Sequence, residues 1–356
     1  MNRRSRFLTV YVIGGILFTT GFVHAAENPV TQPRQVRSEQ FHPGYFVYQS
    51  GSSPIQTRLL ENGDLIGVKR NYDWKNLEVA KGVYDFSAIE IDLKILQAAG
   101  KRLWVEIIYT QFHGTDKPPK TPEYMWTDPS YGGDSRYYGN YERDVGVGGW
   151  YPLFWNTQVK QRMHALFTAL GQRFNGEPFF EGLNVGESAA RPGPGWTCEG
   201  YEQALKELGL ATKSAFPDKI VFAHINFACF DLSAFAAWLD QQGIGMGTPD
   251  IYISDEKLVG ETYPLFLKYR ESVPAGPDVQ WFNYDRNSIS VAEILDFAIE
   301  HTNPWYMFWQ VREPYFTDEV LPAIRAKKLP AAELYYSGET QTADTRPLPP
   351  TIMQIN

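Results

Sequence analysis

Residues 85–109, DFSAIEIDLKILQAAGKRLWVEIIY, contain a helical pattern that is followed directly by a strand pattern. Ile89, Leu93 and Leu96 recur on one face of a helix, and Gly100 is a typical residue at a helix end. The apolar run RLWVEIIY (102–109) then predicts a strand. The stretch therefore predicts one helix–strand unit of an α/β protein.

The same alternation continues after residue 44 and predicts eight strands. They are GYFVYQS (44–50), LIGVKR (65–70), RLWVEIIY (102–109), FEGLNVGE (180–187), KIVFAHINFA (219–228), PDIYIS (249–254), DVQWFNYD (278–285) and WYMFWQV (305–311). Amphipathic segments separate them, so we expect an α/β fold, a single-domain (β/α)8 TIM barrel. An open doubly wound sheet is the alternative. It would require a Gly-rich phosphate-binding turn after the first strand, and YQSGSSPIQT (48–57) is not one.

The N-terminus has the three regions of a secretory signal peptide: three arginines, an apolar stretch over about residues 7–23, and small residues at a cleavage site. An uncleaved membrane anchor is the alternative, although glycines and threonines interrupt the apolar stretch. We expect residues 1–25 to be the signal peptide, 26–336 the barrel and 337–356 a poorly packed tail. The mature protein is then secreted or periplasmic, without membrane contact.

Charge and composition limit the partners of the chain. The formal net charge is −8, and removal of residues 1–25 with their three arginines would change it to −11. No basic stripe is available to neutralise phosphates, which argues against nucleic acid as a partner. Aromatic residues are 15% of the chain and include ten tryptophans, and aromatic rings in a cleft can stack on sugars. A carbohydrate is therefore the expected partner.

The two cysteines, Cys198 and Cys229, either form a disulfide or remain as free thiols. They have neither the number nor the histidine partners of a structural zinc site. The histidines show no ligand spacing, and no G-x-S-x-G motif is present. We expect no metal and no cofactor.

The long break over residues 110–151 is rich in aromatic residues and glycine rather than in the residues of disordered tracts. We interpret it as an ordered wall of a cleft, with Tyr124, Trp126 and Trp150 as sugar-stacking residues.

In a (β/α)8 barrel the active site lies at the C-terminal ends of the strands. Several predicted strands end in carboxylates, and cleavage of a glycosidic bond requires two of them, one as acid and one as nucleophile or base. We expect Glu187 and Asp285 to be catalytic and to face each other across the barrel mouth, with Tyr252 bonded to Asp285. The predicted substrate-binding residues are Tyr72, Glu106, Trp126, Trp150, Asn184, His224, Asn226, Tyr252, Asp255, Trp309 and Glu313.

One segment, RNYDWKNLEVAKGVYDFSAIEIDLKILQAAGKRLWVEI (70–107), resembles the early barrel of clan-A glycoside hydrolases of the β-galactosidase-like and xylanase-like types. PEYMW (122–126) and RFNGEPFFEGLNVGE (173–187) are similar to later segments of these enzymes. The resemblance implies that Glu187 is the general acid/base. The sequence departs from the family pattern at two positions. Gly186 stands where the family usually has asparagine, and Asp285 stands where the family usually has a glutamate nucleophile. The second carboxylate therefore remains open between Asp285, Asp255 and Glu313.

The expected function is an exported glycoside hydrolase acting on an oligo- or polysaccharide. A non-catalytic carbohydrate-binding barrel is the alternative, because the same fold hosts unrelated functions. A polysaccharide lyase or an esterase is a more distant one.

Overall fold

The computed structural model describes residues 41–50, 53–111, 117–132, 136–138, 148–189 and 192–332. The expected signal peptide and C-terminal tail lie outside these residues, so the boundaries at 25 and 336 stay predictions. No helix in the described ranges is long and apolar enough to cross a bilayer.

Eight parallel strands close into a barrel, each paired with the strands before and after it in the chain, and the last with the first. The strands are β1 (Gly44–Gln49), β2 (Leu65–Asp73), β3 (Arg102–Ile108), β4 (Phe180–Glu187), β5 (Ile220–His224), β6 (Gly245–Thr248), β7 (Ala275–Val279) and β8 (Tyr306–Gln310). This arrangement confirms the (β/α)8 prediction.

One principal helix follows each strand. They are α1 (Thr57–Glu61), α2 (Ser87–Ala98), α3 (Thr157–Phe174), α4 (Cys198–Ala215), α5 (Leu232–Gln241), α6 (Tyr263–Tyr269), α7 (Val291–Thr302) and α8 (Leu321–Ala326). π-helical turns at Leu258–Thr262 and Phe316–Val320 lead into α6 and α8, and short helical segments lie at Trp74–Leu77, Glu123–Thr127, Pro129–Tyr131 and Trp281–Arg286. Two antiparallel ladders, Glu78–Ala80 with Val83–Tyr84 and Arg136–Tyr138 with Gly148–Trp150, decorate the loops after β2 and β3.

The predicted positions of the sixth and seventh strands are wrong. Residues 249–254 lie after β6, and residues 281–286 form a helix after β7. Both true strands contain glycine, which is depleted in strands and weakens the apolar pattern. The glycines are required here, because a Cβ at Gly245 or Gly276 would overlap the ring of Phe222.

The lower part of the barrel is filled by aromatic rings from strands that are not neighbours. Trp104 on β3 contacts Phe222 on β5 and Phe308 on β8, with ring centroids 4.8 and 4.9 Å apart. Such contacts are possible only inside the barrel, and Gly182 is needed there because a Cβ would approach Trp104 and the β5 backbone. The aromatic layer fills the barrel below its C-terminal strand ends.

Cys198 at the start of α4 forms a disulfide with Cys229 in the loop after β5. This resolves the choice that the sequence left open. The bond joins two loops on the side of the barrel where Glu187 lies.

Candidate active site

A charged layer lies directly above the aromatic floor. Lys69 on β2 is fully buried, and its ammonium donates to Asp278 Oδ2 on β7 at 2.5 Å and lies 3.2 Å from Glu106 Oε2 on β3. Burial lowers the pKa of Lys69, but its attraction to Asp278 and Glu106 outweighs this effect and raises the pKa overall. Burial raises the pKa of Asp278 to about 8, although Lys69 opposes the shift. One ammonium thus faces two carboxylates in the same buried layer.

A hydrogen-bonded chain next to this charged layer fixes the state of His224. Trp104 Nε1 donates to Asn184 Oδ1 at 2.9 Å, which orients the amide so that its nitrogen lies 2.8 Å from His224 Nε2. The amide nitrogen is a donor, so Nε2 must be an acceptor and the ring neutral. Burial, together with the nearby Lys69, holds the pKa of His224 well below its usual value. His224 is therefore a neutral group at physiological pH.

Glu187 reaches the barrel interior because β4 is irregular at Gly186. Asn184 points inward, so strict alternation would turn residue 187 outward. The pairing with β5 shifts between Val185 and Glu187, and Glu187 lies opposite His224. Bulges of this kind re-aim side chains next to active sites. The irregularity therefore brings the Glu187 side chain into the cavity.

The backbone around Glu187 is held by buried tyrosines. Tyr201 on α4 donates to the Glu187 carbonyl at 2.5 Å, and Tyr151 donates to the Tyr201 hydroxyl at 2.9 Å. The Tyr109 hydroxyl hydrogen-bonds the backbone of Glu187, and burial raises the pKa of Tyr109 well above its usual value. Neutral hydroxyls thus hold the backbone from which the Glu187 side chain projects.

These groups surround a cavity of about 500 Å³ at the C-terminal end of the barrel. Its volume is in the range of small-molecule sites. The polar residues that line it include Tyr48, Asn71, Asp73, Glu106, Lys117, Lys120, Glu187, His224 and Gln280. Asp73 is paired with Lys120 at 2.8 Å.

Glu106, His224 and Asp278 present ligand atoms within 4.8 Å of one another, which is a spacing that fits a metal ion. The Lys69 ammonium already contacts both carboxylates of this set. A divalent cation there would be repelled by Lys69 or would have to displace it. We therefore interpret the three residues as a lysine-compensated cluster.

Of the predicted site residues, Glu106, Glu187 and His224 come together around the cavity, and Asn184 lies beside His224. Asp285 does not belong to β7. It lies in the helix Trp281–Arg286, is 47% exposed at its side chain, and pairs with Arg312 at 2.8 Å. The hydroxyl that donates to it at 2.9 Å is that of Tyr315. Asp285 is not among the residues that line the cavity.

The two other candidates for the second carboxylate also have local partners. Asp255 Oδ1 accepts the backbone N–H groups of Lys257 and Leu258. Glu313 is 45% exposed at its side chain and pairs with Arg58. Neither lines the cavity.

Three predicted binding residues have structural contacts elsewhere. Tyr72 is buried and donates to Asp92 of α2 at 2.7 Å. Asn226 is buried, and its Oδ1 accepts from the backbone of Ala189 at 3.0 Å. Trp309 is fully buried and its ring is parallel to that of Tyr284. Trp309 alternates with the inward-facing Phe308, so it faces the helices.

The aromatic residues of the β3 loop lie beside the main cavity. Trp126 and Trp150 have ring centroids 6.4 Å apart and line a second cavity of about 20 Å³. Tyr109 and Tyr151 line both cavities. Tyr252 stacks on Phe282 with ring centroids 6.3 Å apart. A sugar-binding role for Trp126 and Trp150 stays a prediction.

No protein-family model and no curated protein matches the sequence. Among solved structures, the catalytic domain of β-amylase from Paenibacillus polymyxa aligns with a TM-score of 0.54 and 12% identity, over 77% of this chain and 92% of that one. The chain shares the (β/α)8-barrel fold with that β-amylase domain. Endo-glycoceramidase II from Rhodococcus sp., with a cellobiose-like imidazole, aligns at a TM-score of 0.47 and 13% identity, over 79% and 78% of the two chains. The catalytic core of a xylanase A aligns with a TM-score of 0.48 and 9% identity, over 77% of this chain and 88% of that one.

In this barrel, sequence reasoning missed Tyr48, Lys69, Asn71 and Asp278. A signal was present on β2, where Lys69, Asn71 and Asp73 alternate with residues that face the helices. Polar residues at every second position of an apolar strand indicate a polar barrel interior. Asp278 carried no such signal because its strand was displaced in the prediction.

Proposed function

We propose that the protein is a glycoside hydrolase in which Glu187 is the general acid/base and Glu106 is the second carboxylate. The observation that carries the proposal is the irregularity at Gly186, which directs Glu187 into a cavity that Glu106 also lines. Glu106 replaces Asp285 in this role, because Asp285 is exposed and engaged by Arg312.

The two carboxyl groups have environments that suit different tasks. Glu106 is accompanied by the Lys69 ammonium at 3.2 Å, which compensates its negative charge. Glu187 lies opposite the neutral His224, and the hydroxyls of Tyr109 and Tyr201 hydrogen-bond its backbone. Environments that differ in this way separate the acid from the base of a pair.

In the proposed reaction Glu187 gives its proton to the glycosidic oxygen while the bond from that oxygen to the anomeric carbon breaks. Glu106 supplies electrons to the anomeric carbon, either by direct attack or by taking a proton from an attacking water. Asp278 supports this step by holding Lys69, since it is fully buried below the cavity. Tyr48 accepts from Asn71 at 2.6 Å, which leaves its own proton available to a sugar hydroxyl.

The test is hydrolysis of a panel of aryl glycosides and polysaccharides by Glu187→Gln and Glu106→Gln. Each substitution should lower kcat/KM by about 100-fold or more, as expected for loss of general acid–base or nucleophilic catalysis. Glu313→Gln is the matched control and should retain the parental rate. Full activity of Glu106→Gln would contradict the assignment of the second carboxylate.

A non-catalytic carbohydrate-binding barrel is the second candidate, and Gln280 favours it. This residue lines the cavity just after β7, where the resembling enzymes carry their nucleophile, and it is a neutral amide that caps the following helix. In that case the parent would bind a polysaccharide of the panel without cleaving it, and neither glutamine variant would change a measurable rate.

We further propose that the protein is exported and acts on a carbohydrate outside the cytoplasm. The disulfide and the N-terminal sequence pattern support this proposal. N-terminal sequencing of the protein recovered from periplasm or medium should find a start near Ala26. A membrane-bound product that retains Met1 would contradict it.

A further inference from the structure

We propose that Trp281 is an outer binding platform for a sugar ring, so that the ligand is a chain of several sugars that extends from the cavity across the β7–β8 rim. This inference rests on the proposed carbohydrate site and names the form of its ligand. The platform consists of Trp281 and Arg312.

Trp281 is exposed to an unusual degree for an aromatic residue of this protein. Its relative exposure is 48%, and it is the only exposed tryptophan, tyrosine or phenylalanine among the side chains whose burial the structure describes. It follows Gln280, which lines the main cavity. An exposed indole next to a cavity offers a flat apolar face to a ligand that leaves the cavity at this rim.

The residue is held at both backbone groups. Its N–H donates to Gln310 Oε1 at the end of β8 at 2.8 Å, and its carbonyl accepts from Arg312 Nη1 at 2.9 Å. The Arg312 guanidinium also lies over the indole, 4.9 Å from the ring centroid. Contact with a cation fixes the orientation of a ring that would otherwise rotate in solvent.

Arg312 is itself anchored. It pairs with Asp285 at 2.8 Å, and Tyr315 donates to the other oxygen of Asp285 at 2.9 Å. Tyr315 in turn stacks on the buried Tyr284, with ring centroids 5.2 Å apart. Asp285 therefore connects the exposed ring to the core through Arg312, which gives this carboxylate a function in place of catalysis.

Pre-organisation is the physical reason to expect a ligand here. Ordering an exposed side chain costs conformational entropy. Because Arg312 already orders Trp281 in the free protein, ligand binding does not incur this cost. The apolar C–H face of a pyranose matches the indole face, and the guanidinium edge can donate to sugar hydroxyls. A monosaccharide confined to the cavity would not reach the platform.

The experiment measures binding separately from hydrolysis. Native gels are cast with soluble xylan, mannan, mixed-linkage β-glucan or starch, and mobility gives the dissociation constant of parent, Trp281→Ala, Trp281→Phe and Asp285→Asn. Each is measured with and without Glu187→Gln, so that cleavage does not distort the result. Ile91→Ala, an exposed apolar residue of α2 on the outside of the barrel, is the control.

We expect Trp281→Ala to weaken binding of the retained polysaccharide by about 3- to 10-fold, the range for one aromatic contact. Trp281→Phe should weaken it less, because a ring remains, and Asp285→Asn should have an intermediate effect. Melting temperatures should be close to the parental value, and Ile91→Ala should bind normally.

Three outcomes would overturn the inference: no polysaccharide retards the parent, Trp281→Ala binds as the parent does, or Ile91→Ala loses as much affinity as Trp281→Ala. Trp281-dependent binding without hydrolysis would instead remove the proposed enzymatic function and leave this inference standing.

Discussion

The hydroxyl of Tyr109 occupies the space that a side chain at Gly186 would need. A Cβ at Gly186 would lie 2.5 Å from that hydroxyl and 3.2 Å from a methyl group of Leu205. The same hydroxyl bonds the backbone of Glu187. The glycine that departs from the asparagine of the resembling enzymes is therefore coupled to a tyrosine on the loop after β3, and the pair positions the candidate acid.

Gly186→Ala should destabilise the protein by about 1–3 kcal/mol, the usual cost of overpacking, and should lower activity because Glu187 moves. Tyr109→Phe removes the conflicting oxygen, so the double variant should be more stable than the sum of the two single effects predicts. Urea unfolding of the four proteins measures this coupling. Additive effects would show that Tyr109 and Gly186 do not constrain each other.

Glu78 should be a strong determinant of stability with no direct part in catalysis. Its buried carboxylate accepts from Trp74 Nε1, the Gly82 backbone and Tyr124, and pairs with Arg162. Glu78→Ala would leave Arg162 without its partner and should cost about 3–5 kcal/mol.

The measurement for Glu78 is the free energy of unfolding in urea, with Glu90→Ala as the control. Glu90 forms a more exposed pair with Arg173, and such pairs contribute about 0–1 kcal/mol. Similar losses for the two variants would contradict the burial argument. A large loss of stability for Glu78→Ala would indicate that segment 70–107, which contains Glu78, resembles the other enzymes because it stabilises the barrel.

Lys213 should make stability depend on pH. It is buried on α4, and burial lowers its pKa to about 7. An unfolded lysine titrates near pH 10.4, so between about pH 7 and 10 the unfolded state binds more protons and stability rises with pH. Lys213→Met should be more stable than the parent by about 4 kcal/mol at pH 7.

The difference between Lys213→Met and the parent should shrink as the pH approaches 10, because the folded lysine is then neutral and the unfolded lysine begins to lose its proton. Thermal unfolding of the two proteins at intervals from pH 7 to 10 tests this. A difference that stays constant over that range would show that the ammonium is accommodated without a penalty.

Loss of the disulfide should lower stability. Cys198 and Cys229 are 31 residues apart, and closing a loop of this size contributes about 2–4 kcal/mol. The double variant Cys198→Ser/Cys229→Ser should therefore unfold at lower urea concentration than the parent. Reduced parent protein should match it, and an unchanged midpoint would contradict a stabilising role.

The sequence by itself predicted the architecture and three residues of the candidate site, Glu106, Glu187 and His224. Alternating strand and helix patterns predicted the barrel because the two periodicities are local properties of the chain. Glu187 was found for the same reason, as a carboxylate at the end of an apolar run. The displaced sixth and seventh strands show the limit of this reasoning, since their glycines are explained by the ring of Phe222, which belongs to another strand.

Tertiary structure decided where the carboxylates lie. Lys69 and Asp278 are 209 residues apart in the chain and 2.5 Å apart across the barrel, and no local pattern encodes that contact. The inward turn of Glu187 depends on the register between β4 and β5, and the exposure of Asp285 depends on where β7 ends. Side-chain direction in a barrel is set by pairing between strands, and a shift of one residue in that pairing moves a side chain from one face to the other.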